Sequence, residues 1–94
     1  MYKVVPGQVV YSKAGRDKGR VFIVLEVCED PEMEYVRIAD GKLRKADKAK
    51  LKKLKHLIPT GDIIGVIETK LKSKNEVTDA EIRKALRGFS GSRT

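Results

Sequence analysis

Apolar positions fall in two regimes along the chain. Up to about residue 60 they come in short runs with strand character, and after it they repeat at helical spacing. Residues 8–12 (Q-V-V-Y-S) and 20–28 (R-V-F-I-V-L-E-V-C) predict the first two strands. The second is apolar on both faces except at Glu26 and rich in β-branched residues, which fits a strand covered on both sides. Phe22 and Val24 then face an interior, while Ile23 and Leu25 face outward and need a cover of their own. Asp30-Pro31 reads as a turn, and residues 35–39 alternate as a third strand. Asp40-Gly41 is the strongest hairpin signal in the chain and predicts a fourth strand over 42–45. A loop over 46–50 and a fifth strand over 53–57, ended before Pro59, complete the set. Leu51, Leu54 and Leu57 also fit a basic amphipathic helix over 45–56, so two readings of that segment stand side by side.

Beyond Thr60, Ile63, Ile64, Ile67 and Leu71 share one helical face, with Asp62 as the N-cap; Gly65 costs this helix about 1 kcal/mol of propensity. Residues 72–75 break it. Thr78 with Glu81 three places on is a capping-box signature, and Ile82, Ala85 and Leu86 continue an apolar face up to a stop at Gly88. The two helices are predicted to cover the outer face of the second strand, burying Ile63, Ile67, Leu71, Ile82 and Leu86. Residues 90–94 read as a frayed tail. The fold class is therefore mainly β with C-terminal α: residues 1–60 form a small five-stranded barrel, and 61–94 a helical cap in the same compact domain.

Charge adds a partner to this outline. The 94 residues carry a formal +8, with a pI of about 9.7, which points to a polyanion. The excess is concentrated in residues 42–56. There Lys42, Arg44, Lys45, Lys48, Lys50, Lys52, Lys53 and Lys55 face the single acid Asp47. Leu43, Leu51, Leu54 and Leu57 are interleaved with them and are expected to anchor the array. Residues 26–40 hold six acids against Arg37, so the molecule is expected to be dipolar. Lys13, Arg16, Lys18 and Arg20 form a second basic group around the glycines of the first loop. Gly19, closing that loop, is expected at positive φ.

The stretch from Gly15 through Arg16, Asp17, Lys18 and Gly19 into Val21, Val24 and Val27 resembles the KOW motif, a hairpin arm with a basic loop, a fixed glycine and a following apolar strand. Gly19 occupies the place of that glycine. Together with K-K-L-K-H-L-I-P-T at 52–60, the resemblance extends over about residues 5–60 to the L-fourteen-e family of ribosomal proteins, found in archaeal and eukaryotic large subunits. After Thr60 the chain departs from that family, with two compact helices where long lysine- and alanine-rich extensions are common there. The resemblance implies an SH3-like barrel that binds structured RNA, by extension ribosomal RNA. Ribosomal proteins are further partners, and the setting is cytoplasmic. The RNA-binding set is Lys13, Arg16, Lys18, Gly19, Arg20, Lys42, Arg44, Lys45, Lys48, Lys50, Lys52, Lys53, Lys55 and His56, with His56 carried over from the K-H-L segment. Arg16, Lys18, Arg20, Arg44, Lys45, Lys50, Lys52 and Lys55 are predicted to make one continuous surface opposite the acidic segment 29–34. Val24 and Val27, both apolar in the motif, lie three apart, which places a β-bulge near Leu25 and Glu26.

Other chemistry finds little purchase. Cys28 is alone, so neither an internal disulfide nor a cysteine-rich zinc site is expected. Cys28 reads as a small packing residue, and Tyr2, Tyr11, Tyr35 and Phe22 as core residues before base-stacking platforms. Asp17 and Asp47, alone among cations, are expected to stay ionised. No Ser/His/Asp or Cys/His arrangement and no P-loop stands out. The expectation is a binding protein, not an enzyme, without metal or cofactor and monomeric when free. No apolar run approaches the ~20 residues of a membrane span, and no export signal opens the chain. The alternative class is a protein-binding KOW module of the transcription or translation machinery, docking a basic partner on 29–34.

Overall fold

A computed structural model describes residues 4–29 and 33–89. Seven elements follow in order: β1 (Gln8–Ser12), β2 (Val21–Glu29), β3 (Glu34–Ala39), β4 (Lys50–Lys53), β5 (Leu57–Ile63), α1 (Gly65–Lys72) and α2 (Asp79–Leu86). Short 3₁₀ turns lie at Gly15–Asp17, Ala46–Lys48 and Leu54–His56. The strands make one antiparallel sheet in the order β4-β3-β2-β1-β5. Its two outer strands, β4 and β5, are joined only by the turn Leu54–His56. That short link draws the two edges together and curls the sheet into a barrel-like shape.

The alternation in β2 divides the core as its sequence predicts. Phe22 and Val24 join Val4, Val10, Val36, Ile38, Leu54 and Leu57 inside the curl. Val21 and Ile23 point the other way and pack with Val9, Ala39, Ile67, Val77, Ile82 and Leu86 beneath the helices. The β2–β3 register shifts between Val24 and Glu26, so the chain carries a bulge at the predicted place. The extra residue reverses parity, and Val27 packs against the inner cluster alongside Val24. α2 opens with the predicted capping box. Thr78 accepts from the Glu81 backbone N–H, and the Glu81 carboxylate accepts from that of Thr78.

The second half of the sheet departs from the sequence reading. Residues 42–45 are not a strand. Asp40 Oδ1 accepts from the backbone N–H groups of Lys42 and Arg44, both at 2.9 Å, taking donors that a ladder would need. Gly41 sits at φ +79°, and a Cβ there would lie 2.5 Å from the Asp79 carbonyl oxygen. Asp40-Gly41 is thus a turn moulded on α2, not a two-residue hairpin. The strand that pairs with β3 begins only at Lys50, opposite Ile38. Residues 54–56 form a 3₁₀ turn where a fifth strand over 53–57 was expected, and the alternative helix over 45–56 is absent.

β5 runs straight through Pro59, which pairs opposite Val10. Proline is tolerated because β5 is an outer strand, where a missing N–H leaves no ladder bond unmade. The strand extends past Thr60, so Asp62 and Ile63 belong to it and Ile64 becomes the N-cap of α1. Ile63 is 45% exposed, against the expectation of burial, whereas Ile67, Ile82 and Leu86 are buried and Leu71 packs against them. Leu43 and Leu51 are likewise 64% and 47% exposed, so of the four leucines expected to anchor the basic segment only Leu54 and Leu57 are buried. The turn at Asp30-Pro31, Tyr2 and the tail 90–94 lie outside the described residues. No helix among the described residues is long and apolar enough to cross a membrane.

Candidate nucleic-acid interface

The loop between β1 and β2 is closed by its own backbone. Gly19 N–H donates to the Ser12 carbonyl (2.7 Å), Ser12 N–H to Arg20 (3.0 Å) and Arg20 N–H to Asp17 (2.8 Å). Gly19 adopts φ +84° with nothing within 4 Å of where a Cβ would stand, so the left-handed conformation alone calls for glycine. Arg16 and Lys18 project from this frame into solvent, while Asp17 points inward and is only 3% exposed.

Asp17 is the hinge pin of the site. Its Oδ2 accepts from Lys50 Nζ at 3.1 Å and from Arg44 Nη2 at 3.3 Å, fastening the loop to β4 and to the 40–44 turn. Lys52 Nζ donates to the Ala14 carbonyl at 3.3 Å on the same side. Lys13 N–H donates to the His56 carbonyl, which ties the start of the loop to the turn after β4. Burial pushes the Asp17 carboxyl up, but its bond to Lys50 and the charges of Lys50 and Arg44 outweigh that and hold it below the usual carboxylate range.

Two groups of this array, Lys52 and His56, are perturbed by burial and by their cationic neighbours. Burial, then the charges of Lys50 and Arg44, lower the Lys52 ammonium despite the opposing pull of Asp17. Burial, then the charges of Lys55, Lys53, Lys52 and Lys13, lower the His56 imidazole. An anion placed here would offset the positive charge that Lys52 and His56 feel from their neighbours.

Of the predicted residues, Arg44, Lys50 and Lys52 meet the loop carrying Arg16, Lys18 and Gly19 at Asp17 and Ala14, and Lys13, Lys52, Lys53 and Lys55 lie around His56. Arg20 and Lys42 lie beside Asp40, whose Oδ2 is 3.9 Å from Arg20 Nη1. Lys45 and Lys48 are exposed on the turn Ala46–Lys48, which leans on α2 through a bond from Ala46 N–H to Asp79 Oδ1 (2.7 Å). Arg44 and Lys50 are each about a third exposed and serve Asp17 as well as the surface. Phe22 and Tyr11 are packing residues, as expected; Tyr35 and Cys28 are half-buried partners across β2 and β3.

Sequence reasoning missed Arg83 and Arg87. They stand one turn apart on the polar side of α2 and come up beside Arg20 and Lys42 around an open cleft. Their i, i+4 spacing was visible, but that helix was read for its apolar face alone. No group of three or more His, Cys, Asp or Glu among the described residues is placed to hold a metal. Comparison with protein-family models and with curated proteins finds no match to this chain.

Proposed function

We propose that this protein is a KOW-type RNA-binding protein that recognises structured RNA, of ribosomal type, through the surface formed by the 13–20 loop and residues 50–56. The observation that carries the reading is the convergence of these two segments on Asp17, which fixes Lys50, Arg44 and the loop as one body. The left-handed Gly19, the bulge after Val24 and the edge-joining turn Leu54–His56 support an SH3-like barrel of the KOW kind. Phosphates are neutralised by Lys and Arg with release of counterions, and such contacts position a nucleic acid without reading its sequence. The shape of the RNA then selects the site. Binding, not catalysis, is the activity, without metal or cofactor, in the cytoplasm alongside ribosomal components. The competing protein-docking reading rests on segment 29–34, of which residues 30–32 lie outside the described residues.

The test is direct. The chain, purified and freed of nucleic acid, is titrated into a fluorescently labelled RNA hairpin at low salt and again at about 200 mM salt. Affinity that is present at low salt and falls by orders of magnitude supports the reading. Absence of binding at low salt overturns it. Since the chain has no Trp, bound nucleic acid in a preparation also shows clearly in its ultraviolet spectrum.

A further inference from the structure

The cleft between the 19–21 segment and α2 encloses about 360 Å³, at the small end of ligand-site volumes. Its rim carries Arg20, Lys42, Arg83 and Arg87, and Val21 and Leu86, both nearly buried, give it an apolar wall. Asp40 is the one acid in the lining. Its Oδ1 is filled by the Lys42 and Arg44 backbone donors, and its Oδ2 faces Arg20, so the rim keeps a net charge of +3 (four cations less one carboxylate). Arg83 Nη1 donates to the Gly41 carbonyl at 2.7 Å, which holds that guanidinium in place before any ligand arrives.

We infer that this cleft is a pocket for a single unpaired nucleotide of the bound RNA. The base lies against Val21 and Leu86, and its phosphate meets Arg20, Lys42 and Arg87. The inference rests on the RNA-binding reading and extends it. A bare phosphate leaves the apolar wall and most of the volume unused. A paired base cannot reach the wall, because only unstacked nucleotides are splayed onto protein surfaces. Continuity favours RNA as the source: Arg20 N–H donates to the Asp17 carbonyl, so the cleft begins where the basic loop ends.

The test uses the full chain and two RNA hairpins of one sequence, one with a single-nucleotide bulge and one fully paired. The bulged hairpin is expected to bind at least about twofold tighter, a modest factor because Val21 and Leu86 expose little apolar area to the base. In the double variant Lys42→Gln, Arg87→Gln, both exposed and outside the core, the ratio of the two affinities is expected to fall to about one. In parallel, a 5′-mononucleotide is expected to shift the methyl resonances of Val21 and Leu86, and inorganic phosphate at the same concentration is not. Equal binding of both hairpins by the parent overturns the pocket and leaves the RNA reading standing. Equal methyl shifts with phosphate alone also overturn it, reducing the cleft to an anion site. If the parent binds neither hairpin at low salt, the RNA reading and the pocket fall together.

Discussion

At the scale of single residues, Asp17 matters most, and its type is more informative than its place in a basic loop suggested. It was legible as an ionised acid among cations. Its burial was not, because the partners Arg44 and Lys50 arrive from 27 and 33 positions away. Asp17→Asn removes the charge that holds both and is expected to destabilise the fold by about 1–3 kcal/mol. The figure stays below that for a fully buried pair because the freed cations are part-exposed and rehydrate. The folded carboxyl is depressed, so its contribution is complete above the unfolded-state value and is lost as pH falls through the folded one. Urea denaturation is therefore expected to show parent and Asp17→Asn converging in stability in acid and separating towards neutral pH. Two glycines differ in a similarly testable way. Gly19→Ala meets open space and suffers only the left-handed conformation, costing about 1–2 kcal/mol. Gly41→Ala adds a collision with the Asp79 carbonyl and is expected to cost more and to loosen α2. Thermal melts of the two variants decide the order.

Elements were legible where local pattern and tertiary demand agreed. β1, β2, β3 and the bulge follow from apolar runs and their parity, and α2 follows from its capping box. The segment between β3 and α1 did not, because three local signals were overridden from a distance. Asp40 diverted its neighbours' N–H groups. α2 pressed on Gly41. Sheet order placed Pro59 on an outer strand, where it ceased to be a terminator. Ile63 shows the same conflict, since its helical spacing to Ile67 is real but pairing with Gln8 holds it in β5. Ile82→Ala, in the packed layer beneath the helices, is expected to cost about 2–5 kcal/mol, and Ile63→Ala, half in solvent, about 0.5 kcal/mol or less. Chemical denaturation of the two variants separates the helical cap from the strand that leads into it.

For the whole molecule, the two faces of the sheet are covered to different extents. The inner face closes on itself, α1 and α2 cover part of the outer face while Leu51 and Ile58 stay exposed, and the basic segments occupy the loop end and the β4 edge. Lysines along that edge also block edge-to-edge pairing. His56, lowered by burial and by its lysine neighbours, is expected to regain its proton when phosphates offset those charges. A group whose pKa rises on binding makes binding tighter as pH falls, so RNA affinity should increase from pH 7 towards the imidazole's depressed value, and His56→Gln should remove that part of the dependence. The central claim is that the 13–20 and 50–56 cations form the RNA-binding surface. The measurement that tests it most directly is the salt dependence of RNA affinity for Lys53→Gln, Lys55→Gln beside Lys72→Gln, Lys74→Gln, a pair with equal charge loss in the helical layer. The first variant is expected to lower the log-log slope by about 1.4–1.8, two phosphate contacts' worth, and the second to leave it unchanged. Equal slopes in both variants, or a loss confined to the helical pair, would contradict the account.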